Sequence, residues 1–118
     1  MNLLDVRVAD GELGPVILLS GEADLTTVAQ LSDALNAQIT AETTILTVDM
    51  SRLRFADSAS VAALVRAART LNNQGGRLEL RCPQPGVART LSLLGLDHFL
   101  NVRGEPDAGT SRADTSGT

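Results

Sequence analysis

The residues best placed to do chemistry are a short polar run, Asp57-Ser58-Ala59-Ser60, between a strand-like stretch and a helical one. After it, Val61, Leu64, Val65 and Ala68 recur at i, i+3, i+4 and i+7, the spacing of one buried helix face. Ser58 therefore falls in the first turn of a helix. There the leading N–H groups have no intrahelical acceptor, and the positive end of the helix dipole favours an anion. The chemistry suited to this corner is a hydroxyl that takes and releases a phosphate. A serine at a helix start more commonly serves as its cap. Here Asp57 can cap in its place and leave the hydroxyl exposed. A capping box on Ser58 would also need an acidic residue where Val61 stands.

Other candidates carry less. Asp24 and Asp57 could form a carboxylate pair, but no base, metal-ligand set or pocket-forming aromatic accompanies them, so no catalysis is expected. Cys82 and His98 are the only residues of their types, too few for a zinc site. Cys82 reads as an ordinary buried thiol and His98 as a surface or interface residue. No GxxxxGK[ST] loop occurs, and Gly75-Gly76 follows a helix rather than opening one. The chain is expected to be no enzyme and to hold no cofactor. Arg66 and Arg69 read as solvated on the polar helix face. Arg52 and Arg54 flank the stretch before Asp57, within reach of an acidic patch on a partner.

Composition narrows the partners. The 118 residues suggest one domain, and 43% are hydrophobic, enough for a core. Phe55 and Phe99 are the only aromatics, so base-stacking platforms are nearly absent. The net charge of -4 disfavours the phosphate backbone of nucleic acid. No stretch approaches the roughly 20 apolar residues of a membrane helix, and Met1 to Glu12 lacks the pattern of a signal peptide. The expectation is a cytoplasmic protein that meets other proteins, with no membrane and no direct nucleic-acid partner.

The elements that must position Ser58 follow in order. Leu4 to Val8 alternates as a half-exposed strand, and Gly11 to Pro15 is a turn. Val16 to Leu19 is a continuous apolar run, read as a strand covered on both faces. Ser20 to Asp24 ends it. Asp24 is expected to cap a helix to about Gln38 that buries Val28, Leu31, Leu35 and Ile39. Thr43 to Met50 is a β-branched central strand, and strand–helix–strand implies a right-handed crossover with parallel pairing. A short loop then leads to the Ser58 helix, which Asn72 to Gly76 stops. Arg77 to Cys82 alternates as the next strand, and Pro83 and Pro85 block its continuation. Pro85 opens a third helix through Val87, Leu91 and Leu94, ended by Gly95. Phe99 to Val102 is a short last strand. From Gly104 the chain is Gly, Ser, Thr, Asp and Ala with one Pro, and a disordered tail over 104–118 is expected after a domain over 1–103. The order β-β-α-β-α-β-α-β predicts an α/β fold, a small mixed β-sheet packed with α-helices.

Three stretches resemble the STAS family, the sulfate transporter and anti-sigma factor antagonist domain. They are Gly21-Glu22-Ala23-Asp24-Leu25, then Val48-Asp49-Met50-Ser51 through Asp57-Ser58, then Leu93-Leu94-Gly95-Leu96 with Phe99. Within the family the likeness is to single-domain bacterial anti-sigma factor antagonists. That resemblance implies a STAS-like fold and a phosphoprotein acting by partner switching in transcription regulation and stress response. Its partners would be an anti-sigma factor that is also a serine kinase, and a serine phosphatase. Ser58 matches the phosphorylated serine, Asp57 the aspartate before it, and Asp24 the acidic residue of the first loop. The partner surface implied is Asp24, Leu25, Asp57, Ala59, Ser60 and Val61. The family commonly reads Asp-Ser-Ser/Thr-Gly-Leu, whereas this chain reads Asp57-Ser58-Ala59-Ser60-Val61. Ser60 in place of glycine would put a second hydroxyl on the face a kinase approaches. The other role the resemblance allows is a STAS subunit of a lipid-transport ABC system, bound to the transporter's ATPase.

Overall fold

The computed structural model describes residues 3–96 and 99–104. His98 and nearly all of the expected tail lie outside them. The chain forms β1 (Leu4–Asp10), β2 (Pro15–Ala23), α1 (Val28–Gln38), β3 (Ile45–Ala56), α2 (Ser58–Asn73), β4 (Arg77–Arg81), α3 (Pro85–Leu93) and β5 (Val102–Arg103). This is the expected order, and the sheet is mixed, with strands side by side in chain order. β1 and β2 pair antiparallel, closed by a turn in which the Gly11 N–H donates to the Gly14 carbonyl at 2.9 Å. The remaining pairs are parallel.

Because each parallel connection steps the same way, right-handed crossovers put the helices on one face. The burial pattern agrees. Ile17, Leu19, Leu46, Val48, Met50, Leu78 and Leu80 alternate along their strands into one core with Leu31, Leu35, Leu64, Leu71 and Leu91 of the helices. Each such leucine contributes roughly 1.5–3 kcal/mol of burial free energy. The opposite face is open in part, with Thr47 and Glu79 buried on it. Leu18, flanked by Arg7 and Asp49, remains 38% exposed, so β2 is covered on one face only, contrary to the reading of its apolar run. A run of aliphatic residues fills a strand without requiring a second layer.

β3 is longer than its apolar stretch suggests. It continues past Met50 to Ala56, and β2 continues beside it to Ala23, so no loop separates β3 from α2 except Asp57. Two register shifts, at Leu18/Ser20 and Gly21/Glu22, bend this pairing. They explain why Met50, Leu53 and Ala56 are buried at intervals of three rather than two. The last strand is Val102–Arg103, shorter and later than expected, and Leu94 is half exposed beyond the end of α3 rather than buried. Cys82 leaves β4 with φ 56° and is half-buried, not enclosed. Among the described residues no helix is long and apolar enough to cross a membrane.

Candidate functional site

The site is the corner where β2 and β3 end together. Ala23 pairs with Ala56, and the Asp57 N–H donates to the Ala23 carbonyl at 3.1 Å. The turn after β2 is thereby held beside the start of α2. Asp57 is the N-cap of α2, its Oδ1 accepting from the Ser60 N–H at 2.9 Å and its carbonyl from the Val61 N–H at 3.0 Å. Ser58, the first helical residue, is exposed, and helix geometry leaves its N–H and that of Ala59 without an intrahelical acceptor. An oxygen-rich anion on Ser58 would meet these donors.

Asp24 does not cap α1. The helix begins at Val28 with Thr27 as N-cap, and no side chain bonds its first N–H groups. Asp24 instead organises the turn before it. Its Oδ1 accepts from the Thr26 N–H at 2.9 Å and the Thr26 hydroxyl at 2.6 Å, while its own N–H donates to Thr27 Oγ1 at 2.9 Å. Aspartate and threonine three residues apart close a local turn this way more readily than they extend a helix. The Thr26 hydroxyl, above all, holds the Asp24 carboxyl below its ordinary value of 3.8. The carboxylate is therefore charged at neutral pH. The stability it lends is complete above that ordinary value and is lost as pH falls through the lowered one.

Ser60 requires a correction. It is 0% exposed, on the stripe with Leu64, Ala67 and Leu71, and so faces the core rather than an approaching kinase. Its spacing of four, seven and eleven residues from those positions is the signal that could have placed it. Val61 is also buried, although it borders a surface groove, while Ala59 is half-buried. The Ser60 Oγ has no hydrogen-bond partner among the described residues. An unsatisfied buried hydroxyl costs about 1–3 kcal/mol. Ser60→Ala is expected to raise stability by about 1 kcal/mol, read as a higher melting temperature. A lower one would show that the hydroxyl has a partner.

Around the corner stand Leu25, expected on the partner surface, and Phe55, which the sequence did not mark as part of it. Phe55 projects from the end of β3 at 49% exposure, and Leu25 follows Asp24 at 72%. Arg54 pairs within the chain, its Nη2 and Nε donating to Glu22 Oε2 at 2.9 and 3.2 Å, while its side chain stays largely exposed. Among the described residues no three His, Cys, Asp or Glu side chains cluster as metal ligands.

This corner on this sheet is the STAS architecture. Residues 6–103 match the family described as Mlab, STAS domain, and the chain belongs to that family. No curated protein sequence matches it significantly. Among solved structures it is similar to an anti-sigma factor antagonist from Mycobacterium paratuberculosis, at 25% identity over 89% of this chain and 87% of that one, TM-score 0.78. It is also similar to the Bacillus cell fate determinant SpoIIAA in its phosphorylated form, at 22% identity over 97% and 92% of the two chains, TM-score 0.65. A sulfate transporter family protein from Wolinella succinogenes shares the fold at 17% identity, over 84% and 83%, TM-score 0.69.

Proposed function

We propose that the protein is an anti-sigma factor antagonist, a non-enzymatic regulator that binds an anti-sigma factor with serine kinase activity and is switched by phosphorylation of Ser58. The observation that carries this reading is the exposed Ser58 hydroxyl at the head of α2, released from capping by Asp57 and set beside the exposed Leu25 and Phe55. The likeness to an antagonist from Mycobacterium paratuberculosis supports it, as does the existence of a phosphorylated form of the Bacillus relative. Asp24, Leu25, Phe55, Asp57 and Ala59 form the partner face. The test is direct binding of purified anti-sigma kinases of the source organism, with and without phosphate on Ser58.

The fold alone does not decide this, since a sulfate transporter family protein shares it. The second reading is a STAS subunit of a lipid-transport ABC system. It is favoured by the matched family, whose description names Mlab. Co-purification of a transport ATPase in place of an anti-sigma factor would establish it. In either case we propose that the folded unit ends near Arg103. The residues after Gly104 have almost nothing to bury, so removing 105–118 is expected to leave the melting temperature nearly unchanged. A fall of many degrees would show that they pack on the domain.

A further inference from the structure

Helix α2 carries a second stripe besides the one it buries. Val61, Ala62, Val65, Arg66 and Arg69 run down its flank below Ser58, and Leu94 and Leu96 form the facing lip of a shallow groove. The floor is aliphatic, and Leu94 offers it a side chain 49% exposed. The lower end is cationic. Arg66 and Arg69 are neighbours at i, i+3, both exposed, and neither forms an ion pair with a described residue, a state they share with Arg52, Arg81 and Arg89. In a chain of net charge -4, two cations are thus left at the foot of an apolar groove that begins at Ser58.

We infer that this groove receives an acidic, apolar segment of the anti-sigma factor, an inference that rests on the function proposed above. Apolar side chains of the segment pack on Ala62, Val65 and Leu94, and its carboxylates meet the forked guanidiniums of Arg66 and Arg69. Charge selects the occupant. A basic segment would be repelled, and an acidic one gains a pairing with both guanidiniums that an uncharged one does not offer. The groove is continuous with the switch residue. Arg66 lies eight residues beyond Ser58, about 12 Å along the helix axis, too far to neutralise a phosphate there. Phosphate on Ser58 therefore adds negative charge at the head of a groove that takes a negative segment, and repulsion works with the burial cost against binding.

The test is titration calorimetry with purified anti-sigma kinases of the source organism. Wild type is compared with the double variants Arg66→Glu/Arg69→Glu and Arg66→Lys/Arg69→Lys. Both positions are exposed, so the variants should melt with wild type. Charge reversal is expected to weaken binding at least tenfold, and lysine to retain most of it. A photo-crosslinking residue at Ala62 should capture a kinase peptide containing both Asp or Glu and large aliphatic residues. Undiminished affinity of the reversed variant, capture of a basic peptide, or crosslinking only to a second copy of this chain would overturn the groove assignment alone. Failure of the wild type to bind any such kinase would remove the proposed function, and this inference with it.

Discussion

Ser58→Asp and Ser58→Glu are expected to bind the anti-sigma kinase at least tenfold more weakly than the unphosphorylated wild type, and Ser58→Ala to bind it constitutively. The same charge meets two different settings. A phosphate brings about -1.5 to -2 charges at neutral pH. Within the free domain the open N–H groups of Ser58 and Ala59 and the helix dipole favour it, while Asp57 and the neighbouring Asp24 turn oppose it. These effects roughly cancel, and as a surface change the substitution should move stability by no more than about 0.5 kcal/mol. At the interface the balance differs. Leu25, Phe55 and Ala59 would surround the charge with apolar contacts and no assured counter-ion. An unpaired buried charge costs several kcal/mol, and about 1.4 kcal/mol is already tenfold in affinity. Calorimetry and thermal melts on the same samples separate the two effects. Equal affinities for all three variants would remove the electrostatic basis of the switch.

The largest loss of stability is expected from Gly21→Ala. Gly21 has φ +93°, in the region side chains rarely adopt. A Cβ there would collide with the Leu3 carbonyl oxygen and stand 3.3 Å from its carbon, so backbone rather than a flexible side chain would have to yield. That carbonyl also accepts from the Glu22 N–H at 3.3 Å, in the shifted register that lets β2 run on to Ala23. Conformational strain and the displaced start of β1 together should cost roughly 2–4 kcal/mol, measured by denaturant unfolding. Because the end of β2 carries Asp24 and Leu25, partner binding should weaken as well. A cost below about 0.5 kcal/mol would show that the start of β1 moves freely.

Elements with one clear period were legible in the sequence. The i, i+3, i+4 spacing located α2, and the strict alternation of Arg77 to Arg81 located β4. Residue types offered Asp57 as a cap in place of Ser58, the resemblance to the family decided for it, and the Ser60 N–H bond to Asp57 agrees. The extension of β3 was hidden because register shifts break the period of two on which strand reading depends. Ser60 was misplaced because a family motif directed attention outward, while its own spacing on α2 pointed into the core. Asp24 was read as a cap because it precedes a helix, but the Thr26 and Thr27 hydroxyls draw it into a turn first. Phe55 gave no signal of its own, since exposure in a strand is decided by what packs over it.

The most direct test of the account is mass spectrometry of the protein after incubation with its anti-sigma kinase and ATP, followed by titration of the modified form. The account predicts one phosphate, on Ser58, with none on the enclosed Ser60, and an affinity for the kinase at least tenfold lower than before modification. A protein that binds the kinase yet carries no phosphate on Ser58, or that binds equally well with and without it, would contradict the central claim.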